Sequence, residues 1–276
     1  MLFVNWFRLV YAAVCCKASG GFVCLGRAGA ELQSFNTWLS LVALADGTSP
    51  IVVVSCGRNC SDGQCASLLK RFPRLTRILL DGQAVTGDLP WPDLQVKGLE
   101  SVMFWDTSVC DLALKRLALA VPSLPHLEIF GGQVTDTCGD HLRLLTHLRK
   151  LSLSRVAITD GVLSPLSELV RIESLDLSET RCSDAAMKAI ARLGRLRHLN
   201  MSDTSVTDTG LAEIQHLPHL ESLFIENTAV TDESIFAIES LTSLQALAIG
   251  GSLITADAVE SLLQRRPGLE IARDPL

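Results

Sequence analysis

Apolar and polar residues follow two alternating periods along most of this 276-residue chain. In Leu175-Asp176-Leu177 every second position is apolar, which is the pattern of a short strand buried on one face. In Leu211, Ile214 and Leu217 the apolar positions recur every three residues, as on the buried side of a helix. The chain is therefore predicted to alternate short strands with helices.

The strand-and-helix pattern repeats at a nearly constant length. Its apolar starts are separated by 24 or 25 residues and are Leu75, Leu99, Leu124, Leu148, Ile172, Leu196, Leu220, Leu244 and Leu269. Each unit reads L-x-x-L-x-L-x-x-T-x-V-T-D, as from Leu196 to Asp208, and the segment from Pro50 fits a degenerate earlier unit. Such a period predicts a solenoid in which each unit buries its apolar face against its neighbours.

These units resemble the leucine-rich-repeat family, and within it the short bacterial repeats with a T-x-V-T-D-x-G-L signature that are similar to the cysteine-containing subclass. The resemblance covers residues 50–276. It implies an α/β fold, a horseshoe-shaped leucine-rich-repeat solenoid of about nine or ten units with a parallel sheet on the concave side and helices on the convex side. It also implies a scaffold that binds a protein partner and has no catalytic activity.

The recurring Thr-Asp pairs have a structural interpretation. Thr207 and Thr231 are suited to cap the following helix, because a threonine hydroxyl accepts a hydrogen bond from a backbone N–H in the first turn. Asp208 and Asp232 would then face the positive end of the helix dipole. We therefore interpret the pairs as part of the fold rather than as a ligand site.

Composition and charge limit the possible functions. The chain is 48% hydrophobic and 20% charged, with a formal net charge of -6 and a pI of about 5.5, which argues against a nucleic-acid partner. Residues 1–49 are predicted to form an N-terminal cap, a tail or a weak targeting segment. The chain has nine cysteines without repeated C-x-x-C spacing, which favours a reducing compartment and a cytoplasmic location.

The N-terminal segment leaves an alternative open. Residues 1–16 are apolar but too short for an integral membrane span. Export by a weak signal would use Ala28 to Ala30 as its cleavage site, so that the mature protein would begin near Glu31. The alternative function is accordingly an exported or envelope-associated recognition protein.

Three units depart from the repeat, and one of them, the unit from Leu244, inserts a residue in Ile254-Thr255-Ala256-Asp257. The unit from Leu75 has Thr86-Gly87 in place of Thr-Asp, and Pro90 and Pro92 argue against a regular helix after it. Trp91 between them either lies exposed in a loop or, as we favour, fills the gap left by the missing helix. The last unit stops at LEIARDPL without its helix. This leaves either an imperfect cap or a strand edge that a partner, or another copy of the chain, covers.

The candidate binding residues are the non-consensus ones on the concave strands. Met103, Trp105 and Phe130 are predicted to form an exposed apolar cluster on adjacent strands, a composition enriched at protein interfaces. The candidate set continues with an acidic zone suited to a basic partner surface and one more aromatic residue: Asp176, Glu179, Asp203, Glu226 and Phe224. The alternative is that the N-terminal segment shields the aromatic residues and the carboxylates are ordinary solvated charges.

No catalytic, metal or cofactor site is predicted. His198 and Ser222 fall on neighbouring strands with Asp176 diagonal to them, so a hydrolase relay remains an alternative, but no G-x-S-x-G turn accompanies them. The nearest other concave histidine, His126, would lie three strands from His198, about 14 to 15 Å away. The cysteines at 56, 60, 65 and 182 lack zinc-pair spacing and are interpreted as small buried side chains.

Overall fold

The structure is a computed structural model, and it describes residues 22–24, 39–44, 51–54, 61–70, 76–94, 96 and 98–273. The chain divides into two compact units, Met1–Gln133 and Val134–Leu276. The domain boundary predicted at residue 49 stays a prediction.

The first unit contains two sheets. Strands β1 (Phe22–Cys24), β2 (Leu39–Leu44) and β3 (Ile51–Val54) pair antiparallel in that order. Strands β4 (Arg77–Asp81), β5 (Ser101–Trp105) and β6 (His126–Phe130) pair parallel and in register. The helices are α1 (Asp62–Leu69), a 3-10 helix (Trp91–Leu94) and α2 (Asp111–Ala120). The strand of the early unit predicted from Pro50 is β3, and its hydrogen-bonded partner is the antiparallel β2.

The second unit carries six short strands in chain order. They are β7 (Lys150–Ser154), β8 (Ser174–Asp176), β9 (His198–Asn200), β10 (Ser222–Phe224), β11 (Ala246–Ala248) and β12 (Glu270–Ala272), and neighbours pair parallel. A helix or helical turn follows each of the first five: 3-10 Asp160–Val162 with α4 (Leu163–Leu166), α5 (Asp184–Ile190), α6 (Asp208–Ile214), 3-10 Asp232–Ser234 with α7 (Ile235–Ser240), and α8 (Ala256–Arg265). Helix α3 (Cys138–Leu142) precedes β7.

The buried layer between strands and helices is made by the consensus apolar positions. Leu175 and Leu177 in one repeat, and Leu199 and Met201 in the next, are at most 1% exposed. The helical residue Ile214 closes the same core from the other side and is also fully buried. The two periods in the sequence therefore build one apolar core, which confirms the predicted α/β leucine-rich-repeat solenoid.

The Thr-Asp pairs form a ladder that joins consecutive repeats. Thr207 caps α6, because its hydroxyl oxygen accepts a hydrogen bond from the backbone N–H of Thr209 at 3.3 Å. The same hydroxyl donates to Oδ2 of Asp184 in the preceding repeat at 2.7 Å, and the Thr207 backbone N–H donates to Oδ1 of that carboxylate, also at 2.7 Å. The predicted threonine cap is confirmed, and the aspartate additionally binds the next repeat.

In the second unit the ladder repeats without interruption from Asp136 to Thr255. Its other steps join Asp136 to Thr159, Asp160 to Ser183, Asp208 to Thr231 and Asp232 to Thr255, with hydroxyl-to-carboxylate distances of 2.5–2.8 Å. In the first unit Asp62 accepts hydrogen bonds from Thr86 and from the backbone N–H of Gly87. Gly87, which stands in place of an aspartate, offers no carboxylate to the following repeat.

The turn after the strand contains a second buried threonine and, just before it, a residue in the left-handed backbone conformation. Thr204 is 8% exposed and its hydroxyl donates to the Met201 carbonyl, and Thr180 and Thr228 make the same bond in their own repeats. Just before each of these threonines the chain has a positive φ, 56° at Asp203. The N–H of Asp203 then donates to the Glu226 carbonyl of the next repeat at 2.8 Å. The turn geometry thus contributes another inter-repeat hydrogen bond.

We expect Gly210→Ala to destabilise the second unit by about 1–3 kcal/mol. A Cβ at Gly210 would overlap Oδ1 of Asp184 and lie 3.0 Å from Cγ of Met187, so it would displace the carboxylate that holds Thr207. Urea unfolding monitored by circular dichroism measures the change. Gly194→Ala is the matched control, since a Cβ there meets no atom within 4 Å. Equal free energies of unfolding for the two variants would contradict the steric role assigned to Gly210.

Candidate functional site

The predicted apolar cluster of the first unit is assembled on neighbouring strands. Trp105 pairs in register with Phe130, and Met103 lies two positions before Trp105 on the same face of β5. The Trp105 and Phe130 rings stack with centroids 4.3 Å apart and planes 10° from parallel. All three side chains are partly exposed, so they form a rigid aromatic and thioether surface that we call the aromatic patch.

Carboxylates surround this aromatic patch. Asp81 stands beside Trp105 on β4, Glu128 stands beside Met103 on β6, and the exposed Asp106 follows Trp105. The register of three parallel strands therefore brings apolar and acidic side chains to one face of the first unit. Aromatic residues and methionine are enriched at protein interfaces, whereas aspartate and glutamate are depleted there, so the aromatic patch rather than its acidic surroundings is the interface-like part of this surface.

In the second unit, Asp176 is engaged in hydrogen bonds within the fold. Its Oδ1 accepts from the backbone N–H and the hydroxyl of Ser178, at 3.0 and 2.7 Å, and its Oδ2 accepts from the hydroxyl of Ser152 at 3.2 Å. Asn200 occupies the same position on the next strand, and its side-chain oxygen accepts from the Ser202 N–H. Asp176 thus supports the strand end as well as contributing negative charge to the surface.

Glu179 and Asp203 are the exposed carboxylates of the predicted acidic zone. Both occupy the left-handed position after a strand, with φ of 54° and 56°, and both are exposed. Asp203 accepts a hydrogen bond from the Asn227 amide at 3.0 Å. Since Asn227 and Gly251 hold equivalent left-handed positions, the conformation belongs to the repeat rather than to either carboxylate.

Glu226 differs from the expectation of a solvated charge. Only 7% of it is exposed, and its backbone N–H donates to the Ser202 hydroxyl at 3.2 Å. Phe224 is partly exposed on β10, between Asn200 and Ala248 on the adjacent strands. We call the surface formed by Asp176, Glu179, Asp203 and Phe224 the acidic patch. Glu226 does not belong to it, because this residue is buried.

The residues of the hydrolase alternative come together only in part. His198 Nδ1 lies 3.2 Å from the Ser222 hydroxyl oxygen on the adjacent strand, as their spacing indicates. The strand register pairs Asp176 with Asn200 rather than with His198, and the hydrogen bonds of the Asp176 carboxylate go to Ser152 and Ser178. The geometry therefore supplies a serine–histidine contact without an aspartate to orient the imidazole.

Trp91 fills the space left by the missing helix in the first unit. It begins the 3-10 helix Trp91–Leu94 and has no exposed surface, which confirms the favoured interpretation. Its Nε1–H is the one buried side-chain polar group in the described residues without a hydrogen-bond partner. A surface pocket of about 520 Å³ lies next to Trp91, and its lining includes Pro90, Arg116 and Leu119.

The cysteines take two different forms. Cys138 and Cys182 are fully buried and carry thiols, as does the half-buried Cys110. Cys65 is also fully buried, as predicted, but it is disulfide-bonded, and the second cysteine lies outside the residues whose side chains are described. The predicted burial of Cys65 is confirmed, and its disulfide is a feature that the interpretation as a small buried side chain did not include. In the described part of the chain no group of three histidine, cysteine or acidic side chains has a metal-binding arrangement.

Comparisons with known proteins agree with this architecture. Residues 196–214 match the family model described as Leucine Rich repeat. An internalin, InlF, from Listeria monocytogenes strain 4b F2365 superimposes with a TM-score of 0.55 at 19% identity, covering 76% of this chain and 70% of its own. Internalin C2 from the same strain gives a TM-score of 0.51 at 21% identity, with coverages of 66% and 76%. No curated protein gave a significant match.

The fold and the comparisons together define the class of this chain. It is a leucine-rich-repeat solenoid, which confirms the resemblance seen in its repeats. The closer likeness to the cysteine-containing subclass stays a prediction. Among the helices of the described residues, none combines the length and the apolar character needed to cross a bilayer.

We expect Cys182 to resist alkylation in the folded protein. Burial raises the pKa of its thiol to about 11, with the Asp160 and Asp136 carboxylates acting in the same direction and the Thr180 hydrogen bond opposing them. At pH 8 only about one thousandth of such a thiol is ionised, and it has no access to reagent. N-ethylmaleimide labelling followed by peptide mass spectrometry measures this. The control is the same labelling of protein unfolded in about 8 M urea. Equal labelling rates of Cys182 in native and unfolded protein would contradict its burial.

Proposed function

We propose that this protein is a non-catalytic scaffold that binds a protein partner through the strand faces of its two units. The observation that carries the proposal is the stacked, partly exposed Trp105–Phe130 pair with Met103 beside it. In the other repeats the positions equivalent to Trp105 and Phe130 carry no aromatic side chain; they are Asp81, Ser154, Ser178, Ser202, Glu226 and Gly250. The aromatic patch is therefore a local feature of the first unit that the repeat itself does not require.

The acidic patch of the second unit supports the same function by a different interaction. Glu179 and Asp203 project from consecutive turns, so their carboxylates form a local negative region that is bordered by Arg155 of the preceding turn. Such regions raise association rates with basic partner surfaces and disfavour acidic ones. The proposed partner is accordingly a protein with an apolar contact region and exposed lysine or arginine residues.

We expect Trp105→Ala combined with Phe130→Ala to preserve folding and weaken partner binding by about thirtyfold or more, because truncated aromatic hot spots commonly cost about 2 kcal/mol or more. Crosslinking mass spectrometry of the tagged protein in its native lysate identifies the partner, and titration with that partner gives the affinity. Leu112→Ala with Leu119→Ala is the matched control, since both leucines are exposed on α2 of the same unit. A partner that crosslinks equally to all three proteins would overturn the role of the aromatic patch.

We expect Glu179→Asn with Asp203→Asn to weaken binding of the same partner and reduce its salt dependence. Asparagine tolerates the left-handed conformation, so the free energy of unfolding should change by less than about 0.5 kcal/mol. The control exchanges two exposed helix-side or loop carboxylates of the same unit, Glu168→Gln with Glu260→Gln. If both pairs of substitutions lower the affinity equally, the effect is one of net charge and the acidic patch has no specific role.

We also propose that the protein is exported rather than cytoplasmic. The observation that favours it is the disulfide at Cys65, since disulfides persist in oxidising compartments and are rare in the cytosol. Fractionation of the native host, followed by non-reducing peptide mass spectrometry and N-terminal sequencing, tests this. A chain that begins near Glu31 outside the cytosol and retains the Cys65 disulfide is the expected result. A cytosolic chain with a reduced Cys65 would restore the original prediction.

Oligomerisation through β12 remains a further proposal. Within the described residues this strand pairs on one side, with β11, so its other side offers backbone hydrogen-bonding groups to a partner or to another copy. Light scattering of the purified chain measures the oligomeric state directly.

A further inference from the structure

The loops that lead into the strands of the second unit stack in a regular column. The N–H groups of Glu173 and Ser174 both donate to the Arg149 carbonyl, and those of Arg197 and His198 both donate to the Glu173 carbonyl. The same pair of bonds joins Glu221 and Ser222 to Arg197. Residues at equivalent positions of these loops therefore lie about 5 Å apart along the column.

Positive charge collects at this edge. Two positions before the stacked residues the loops carry His147, Arg171, Arg195 and His219, and all four are exposed. Arg192, three residues before Arg195, is exposed at the end of the preceding helical segment. We call Arg171, Arg192 and Arg195 together the arginine edge.

In the part of the chain that the structure describes, the arginine edge lacks ion-pair partners, unlike Arg143, Arg149 and Arg197 of the same loops. The exposed Glu168, three residues before Arg171, lies beyond ion-pair distance of it. In the adjacent column Arg149 is paired with Glu173 at 3.9 Å, and Arg197 is paired with Glu221. Across the described residues, no carboxylate lies within 4 Å of the guanidinium nitrogens of Arg171, Arg192 or Arg195. Arg171 and Arg195 also stand at equivalent positions of adjacent repeats, where like charges repel. Binding of an anionic partner would relieve this repulsion, because the partner supplies the opposite charge that the two arginines lack.

The surroundings of the arginine edge indicate what kind of anion it fits. Val170, next to Arg171, is 60% exposed, and Leu144 in the preceding loop is 40% exposed. Protein interfaces combine arginine with apolar contacts, whereas surfaces for single-stranded nucleic acid add aromatic rings on which bases stack. The loops 143–149, 167–173, 191–197 and 215–221 contain no phenylalanine, tyrosine or tryptophan, and the ring side chains of the column that holds Arg171 and Arg195 are His147 and His219 at its flanks. The net charge of -6 also disfavours a nucleic-acid polyanion.

We infer that the arginine edge is a second docking surface, separate from the strand faces, for an acidic segment of a protein. Carboxylate side chains of that segment bind Arg171 and Arg195, whose planar guanidinium groups accommodate carboxylates in bidentate geometry. Arg192 adds a third positive charge, and Val170 and Leu144 contact apolar side chains of the same segment. The proposal does not depend on the partner of the aromatic patch.

Fluorescence anisotropy with the full chain and a labelled octaglutamate peptide tests this surface at about 50 mM salt, where charge interactions are weakly screened. An octaglutamine peptide of the same length reports binding that is independent of charge. We expect saturable binding of octaglutamate alone, and a loss of affinity of about tenfold or more in Arg171→Gln with Arg195→Gln, since both charge-assisted contacts are removed. Circular dichroism and urea unfolding check that the variant folds.

Arg181→Gln with Arg273→Gln is the control. It removes the same total charge from exposed positions of the second unit outside the arginine edge, one in the turn before α5 and one just after β12. An affinity loss below about twofold in this control supports a specific surface. Equal losses in the two double variants, or no saturable binding to the wild type, would overturn the proposal. Tighter binding of an octathymidylate than of octaglutamate would also overturn it, in favour of a nucleic-acid surface.

Discussion

The hydrogen bonds from one threonine or serine to the aspartate of the preceding repeat are the interaction on which the second unit depends. Each hydroxyl accepts from a helix N–H and donates to a carboxylate, so one side chain ends a strand loop, starts a helix and joins two repeats. Hydrogen bonds to charged groups contribute about 1.5–3 kcal/mol each. Short helices such as the seven-residue α6 have little stability of their own, so their position has to come from contacts of this kind.

The hydrogen bond between the aspartate of one repeat and the threonine of the next explains the choice of other residues in the sequence. The carboxylate of Asp184 occupies the space beside Gly210, so the glycine of the T-D-x-G-L signature is there because a Cβ would collide with it. Gly210 has no left-handed φ, and its role is one of space rather than of backbone freedom. In the first unit Gly87 replaces the aspartate at this position, and the chain continues there into the 3-10 helix that contains Trp91. Trp91 then supplies by its own volume part of the packing that a helix supplies elsewhere.

The sequence predicted the fold because its repeat length, its apolar periods and its threonine caps all indicate the same unit. It did not predict the hydrogen bonds from a threonine to the aspartate of the preceding repeat. The spacing of residues within one repeat carries no information about how the side chains of two neighbouring repeats meet. The left-handed conformation of Glu179 was missed for a similar reason. Glycine holds the equivalent position only at Gly82, Gly131 and Gly251, while the intervening repeats have non-glycine residues in the same left-handed conformation. The N–H of Glu179 donates to the Ser202 carbonyl of the next repeat.

The candidate site was predictable to the extent that strand register decides it. Parallel pairing places Trp105 beside Phe130 with no further assumption. Burial was harder to predict, because Glu226, Ser154 and Ser202 are at most 7% exposed in the same column in which Trp105 and Phe130 are partly exposed. The Cys65 disulfide was missed because its cysteine stands at a core position of the repeat, where a small apolar side chain is equally suitable.

Charges of both signs lie at each end of the short strands in the second unit, with the arginine edge at one end and the acidic patch at the other. Arg171, Arg192 and Arg195 lie where the strands begin, near Glu173 and Glu221. Glu179 and Asp203 lie where the strands finish, near Arg155 and Arg181. A strand of three residues spans only about 10 Å, roughly one Debye length at physiological salt, so the arginine edge and the acidic patch remain distinct without cancelling fully. A partner that approaches this unit is therefore oriented by the charge it presents, since an acidic segment is attracted to the arginine edge and a basic segment to the acidic patch. Parallel pairing produces this separation, because it brings every strand start to one edge and every strand end to the opposite edge.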